Sequence, residues 1–225
     1  MGQAVGQMLP MAIGIAFSPL PIVLVVLMLG TSNGRLSGLS FLAGWMFGLA
    51  FVGTTVLLVA SAEQASSEGS PATWVSVLKA GLGVALLVLA VRQWRERSSS
   101  EGAPELPGWM QAVDTFSPAK AAATALLFSA VKPKNLILTI GAGSAIAQTG
   151  ASTASQAGAL AIFVVLASAG VGLPIAIYFF TGERATALLA ELRAWLTREN
   201  TTIIAVICLI IGVTLIGDAL SSLTT

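Results

Sequence analysis

Apolar residues in this chain come in long runs separated by short polar stretches. Six runs reach the roughly 20 residues that a bilayer core requires of a helix: Val5–Gly30, Leu39–Ala62, Thr73–Val91, Ala119–Gln148, Gln156–Phe180 and Thr202–Leu220. The expected fold class is therefore an all-α membrane protein of six transmembrane helices. The fourth run, at 30 residues, would make a single helix about 45 Å long against a core of roughly 30 Å. It is expected to break, to tilt, or to enter as two segments. The first run lacks a basic flank and is too long for the apolar part of a cleavable signal peptide.

The polar stretches orient the runs. Arg35 lies in the first, Arg92, Arg95 and Arg97 in the third with Lys120 just beyond, and Arg184, Arg193 and Arg198 in the fifth. The second and fourth carry no Lys or Arg. Eight of eleven basic residues thus fall on one side and the other three within runs. The positive-inside rule then puts both termini outside the cytoplasm, in a multi-pass protein of the cell inner (plasma) membrane. Within the fifth stretch, Leu188, Leu189, Leu192, Trp195 and Leu196 recur at helical spacing across Glu183–Arg198, as in a helix lying in the membrane interface.

Composition agrees and narrows the chemistry. Of 225 residues, 56% are hydrophobic and 9% charged, against roughly 25% charged in soluble domains. There is no His, and Cys208 is the single cysteine, which excludes zinc sites, CxxC redox chemistry and His-based acid–base catalysis. No GxxxxGK[ST] phosphate loop is present. No enzymatic activity, cofactor, metal or nucleic-acid partner is expected.

The charged third stretch divides the runs three and three: residues 1–94 form a first repeat, 95–117 a cytoplasmic linker and 118–225 a second repeat. An odd number of spans per half forces the halves into opposite orientations, as in many secondary transporters. A faint echo supports this. Phe17-Ser18-Pro19-Leu20-Pro21 and Phe128-Ser129 through Pro133 both read Phe-Ser, a short insert, Pro, then a run rich in Leu and other branched apolar residues. Proline removes a backbone donor and breaks a helix interior. Matched interruptions in the two halves point to a transport site, since irregular backbone at membrane depth is tolerated only where protein or a cavity covers it.

Charge falls at the same place. Lys132 and Lys134 flank Pro133, and Lys79 lies in the third run. A cation at the bilayer centre costs roughly 2.5–3.5 kcal/mol on insertion scales and marks a candidate site. No carboxylate lies deep in a run, and Asp218, at the outer end of the sixth, is the nearest candidate partner for Lys79. An anionic phosphate, sulfate or carboxylate would complement this surplus. The candidate substrate-binding residues are Ser18, Pro19, Pro21, Lys79, Lys132, Pro133, Lys134 and Asn135. Gly44 and Gly48 form a GxxxG, and Gly81 and Gly83 follow in the third run, all expected to serve close helix packing.

Beyond the chemistry, an ordered set of segments carries a resemblance. FSPLPI at Phe17–Ile22, FLAGWMFG at Phe41–Gly48, LKAGLGVALLVLAVRQW at Leu78–Trp94, PGWMQAVDTFSPAKA at Pro107–Ala121 and KPKNLILTIGAGSAIAQTG at Lys132–Gly150 together resemble the GAP family. These are peptidoglycolipid or sulfolipid addressing proteins of actinobacteria, in the lysine-exporter (LysE) superfamily. The resemblance implies six spans and a role in moving cell-envelope glycolipids or their precursors to the surface. The family usually has Asn where this chain has Lys132, which adds a charge to the site. Together the readings give a transporter that exports or flips an anionic glycolipid or lipid-linked precursor. The alternatives are an exporter of a small metabolite such as an amino acid, and an accessory scaffold of a separate lipid pump. Besides the bilayer and the anionic lipid substrate, the candidate partners are an envelope-lipid pump or synthase and a second copy of the chain.

Overall fold

A computed structural model describes residues 2–31, 33–66, 73–97, 116–181, 191, 202–217 and 219–220. Among them the chain is all helical: α1 (Gly2–Ala16), α2 (Pro19–Leu29), α3 (Gly34–Ser66), α4 (Thr73–Arg97), α5 (Pro118–Ala130), α6 (Pro133–Gln148), α7 (Thr153–Thr181) and α8 (Thr202–Gly217). Most of the linker, the stretch Glu183–Arg198 apart from Glu191, and Asp218 lie outside the described residues. So does the side chain of Lys79, whose backbone belongs to α4.

Among the described residues, two helices are long and apolar enough to cross a membrane on their own, within α3 and α7. Two bent pairs pass the same test as units: α1 with α2, at 52°, and α5 with α6, at 64°. Counting each pair once gives four spans. The 16-residue α8 covers about 24 Å, short of the roughly 30 Å core. Large apolar side chains face outward where water would disfavour them, among them Phe47 and Phe51, each 63% exposed, and Leu58 at 65%. Their natural surroundings are lipid.

Three of the helices begin on a proline. Pro19, Pro118 and Pro133 each occupy the first helical position, where the missing N–H would have no intrahelical partner in any case. Pro21 falls in the same donor-free first turn of α2. The over-long fourth run therefore breaks, with α5 ending at Ala130 and α6 starting at Pro133. The prolines of the two halves sit at equivalent points, but the Phe-Ser pairs do not. Ser18 immediately precedes Pro19 as the N-cap of α2, whereas Ser129 lies in the last turn of α5 and its Oγ donates to the Leu126 carbonyl at 3.1 Å.

Small residues let backbones meet around these breaks. A Cβ on Gly44 would strike the Ala122 carbonyl, and one on Gly48 would strike Ser129, so the GxxxG of α3 is the face on which α5 lies. Gly170 of α7 abuts the Ala16 carbonyl at the end of α1. Gly83 of α4 faces Gly212 of α8, while Gly81 meets nothing within 4 Å. The core between the helices holds Met8, Met11, Leu24, Leu138 and the stacked pair Phe41 and Trp45, with ring centroids 6.3 Å apart.

Candidate functional site

The two helix breaks touch each other. A helix end leaves its last carbonyls without intrahelical donors, and a proline opening the next helix supplies none. At the first break the Phe17 amide still closes on Ile13 at 3.0 Å. The next carbonyl, that of Gly14, accepts instead from Lys134 Nζ of α6 at 2.7 Å. At the second break the Val131 amide closes on Leu127 at 2.9 Å, and the next carbonyl, that of Phe128, accepts from Asn135 Nδ2 at 3.0 Å. Gly14 and Phe128 each stand five residues before the proline that restarts the helix. The first turn of α6 thus satisfies the corresponding carbonyl of both breaks.

Asn135 ties them further. Its Oδ1 accepts from Ser18 Oγ at 3.2 Å, so one buried amide bridges the N-cap of α2 and the C-terminal turn of α5. Asn135 is fully buried, Ser18 is 2% exposed and Lys134 5%. Pro19 and Pro21 are buried beside them. The Thr139 hydroxyl, one turn along α6, donates to the Asn135 carbonyl at 2.8 Å and extends the polar strip inward.

Lys132 is placed differently. It is the N-cap residue of α6 and its side chain caps nothing. Its ammonium lies 5.5 Å from the centroid of the Phe128 ring, within the range of a cation–π contact. The side chain is partly buried, and Pro133 next to it is exposed. No described carboxylate pairs with either lysine, and the two repel each other. Cys208 of α8, 1% exposed, is buried near Lys134. The juncture is therefore a positively charged cluster of polar side chains and backbone, bounded by prolines, within an apolar bundle.

Of the eight residues singled out from the sequence, Ser18, Pro19, Pro21, Lys132, Pro133, Lys134 and Asn135 fall at this juncture, while the side chain of Lys79 lies outside the described residues. Sequence reasoning missed Gly14 and Phe128, whose contributions are carbonyl oxygens, and Cys208. A signal for the first two existed, since a carbonyl five residues ahead of a helix-starting proline loses its intrahelical partner when the helix ends there.

The family model described as Sap, sulfolipid-1-addressing protein, matches residues 8–221, a range that contains both breaks and every residue of the juncture. No curated protein and no solved structure matches the chain.

Proposed function

For a chain that belongs to the sulfolipid-1-addressing protein family, we propose export or flipping of an anionic envelope glycolipid or lipid-linked precursor across the inner membrane. One observation carries the reading: the two broken helices meet, and two lysines without a described counter-ion stand at the meeting point. Helices interrupted at corresponding points of two halves form the substrate sites of many transporters. The uncompensated positive charge favours an anionic head group over a neutral or cationic one. In this reading residues 1–94 and 118–225 are two inverted three-span repeats joined by a cytoplasmic linker, with both termini outside. The protein moves its substrate and performs no covalent chemistry on it.

We assign the two lysines different roles. Lys134, buried and donating to Gly14, positions the two breaks relative to each other. Lys132, whose ammonium has an aromatic ring beneath it and no acceptor among the described residues, meets the head group, and the uncapped amides of the first turn of α6 lie beside it. Ser18 and Asn135 keep the surrounding backbone in shape. A family member with Asn in place of Lys132 would present one charge fewer, so Lys132 tunes the preference for anionic over neutral head groups.

The test uses purified protein in phosphatidylcholine vesicles containing a fluorescent sulfated glycolipid or its unsulfated counterpart, with a membrane-impermeant quencher reporting the exposed leaflet. Wild-type protein is expected to speed the flipping of the sulfated lipid more than that of the neutral one. Lys132→Asn should cut the preference about ten- to a hundredfold, the scale of one charge-assisted hydrogen bond. Equal rates for both lipids, or no acceleration by a protein whose thermal unfolding is normal, would sink the proposal.

A further inference from the structure

We infer that the outer face between α4 and α8 holds a second lipid site, specific for an anionic phospholipid of the surrounding bilayer. The two helices run antiparallel and meet backbone to backbone: a Cβ on Gly83 would lie 2.9 Å from the Gly212 carbonyl, and one on Gly212 3.0 Å from the Gly83 carbonyl. Seven residues along each helix from this crossing stand Ala90 and Ala205, about 10 Å away at 1.5 Å per residue. Both are small and buried, at 5% and 3% exposure. There, with no large side chain to fill the space between the helices, a groove of about 350 Å³ opens.

Chemistry selects the occupant. Ala90 and Ala205 form the floor, and Val91, Val206 and Leu209 the walls, all apolar and the walls outward facing. The volume lies within the range of small-molecule sites. On the flank of a membrane bundle the apolar group that reaches such a groove is a lipid chain. The polar end is equally defined. Trp94, half exposed, and Arg95 complete the lining in the last turns of α4. In the sequence Arg92, Arg95 and Arg97 stand against Glu96 alone, so residues 92–97 carry a net positive charge beside a tryptophan, the residue type that anchors to head groups. An acyl chain along the alanine floor places its phosphate against Arg95. The groove and the central juncture have no lining residue in common. This site therefore has a separate ligand and is independent of which substrate the protein moves.

The experiment uses full-length protein in phosphatidylcholine vesicles doped with either phosphatidylglycerol or phosphatidylcholine bearing brominated chains, at matched mole fraction. Bromine quenches a tryptophan it touches, and the part of the quenching abolished by Trp94→Phe reports the groove. The brominated phosphatidylglycerol is expected to quench that component about fivefold more effectively, the scale of one arginine near an anionic lipid. Arg95→Gln should bring the two lipids level. Ala205→Leu, which fills the floor, should weaken quenching by both. Thermal unfolding in the same vesicles checks that each variant is folded. Equal quenching in wild type, a preference that survives Arg95→Gln, or undiminished quenching in a folded Ala205→Leu protein would each overturn the site. The assay reads binding and not flipping, so this inference and the export reading fail separately.

Discussion

Asn135 is the residue on which most of the juncture converges. Its amide accepts from Ser18, donates to the Phe128 carbonyl and has no exposure to solvent or lipid. Replacing it with Leu leaves a buried hydroxyl and a buried carbonyl without their partner, at a cost of about 1–3 kcal/mol for each group left unsatisfied. Ser18→Ala alone removes one of these bonds and should cost about 1 kcal/mol. Because the two residues share a hydrogen bond, the double variant should lose less than the sum of the single ones, by roughly the net worth of that bond. Thermal unfolding in detergent micelles measures all three; strictly additive losses would mean the bond across the breaks does not hold the two halves together. The lysines follow another logic. Replacing Lys134 with an apolar residue removes a desolvated cation but leaves the buried Gly14 carbonyl without its partner, two effects of opposite sign, so a change in stability alone does not report its role and transport must be read beside it. At this scale the sequence was informative about residue type, because prolines and lysines are conspicuous in an apolar run. It was silent about Gly14 and Phe128, because a carbonyl oxygen belongs to every residue.

Among the helices, what distinguishes one contact from another is whether a side chain fits between them. Gly44 and Gly48 on α3 are pressed against the backbone of α5, so that a methyl group at Gly44 meets the Ala122 carbonyl and carbon. Gly81 on α4 has open space where its Cβ would be. Gly44→Ala should therefore destabilise by about 1–3 kcal/mol, since the obstacle is main chain and cannot rotate aside. Gly81→Ala should be neutral or slightly stabilising, because alanine is the better helix former. Paired thermal melts of the two variants in one detergent make the comparison; equal shifts would show that α3 and α5 do not approach as closely as described. The GxxxG was legible in the sequence as a packing motif, but its partner was not. Either α5 or another apolar helix could meet a glycine face, and the choice is made by which backbone reaches it.

For the molecule as a whole, the distribution of basic residues sets the expected orientation, with the stretches of sequence that carry Arg35, Arg92 and Arg193 on the cytoplasmic side. Single cysteines placed at Ser67 and Thr149, in a background with Cys208 replaced, should react in intact cells with an impermeant thiol reagent. Cysteines at Ser99 and Thr186 should react only after permeabilisation. The reverse pattern would invert the orientation and with it the direction of transport. The same experiment bears on the number of spans, because the two long helices and two bent pairs give up to four crossings among the described residues.

The sequence by itself determined that this chain is helical and embedded in lipid, where prolines interrupt its apolar runs, and what charge collects near them. These properties are local. A run of apolar residues, a proline and a lysine each act within a few positions, and their free energies depend on the bilayer more than on distant parts of the chain. Tertiary structure decided that the two breaks meet, that Lys134 turns inward to a carbonyl of α1 while Lys132 stays beside Phe128, and that α4 and α8 part beyond their glycine contact to leave a groove. Lys134 and Gly14 are 120 positions apart, and no spacing rule spans that distance. Inside a bilayer every orphaned backbone group must find a partner within the protein. That need, met by whichever side chain the packing brings near, is what the linear sequence leaves open.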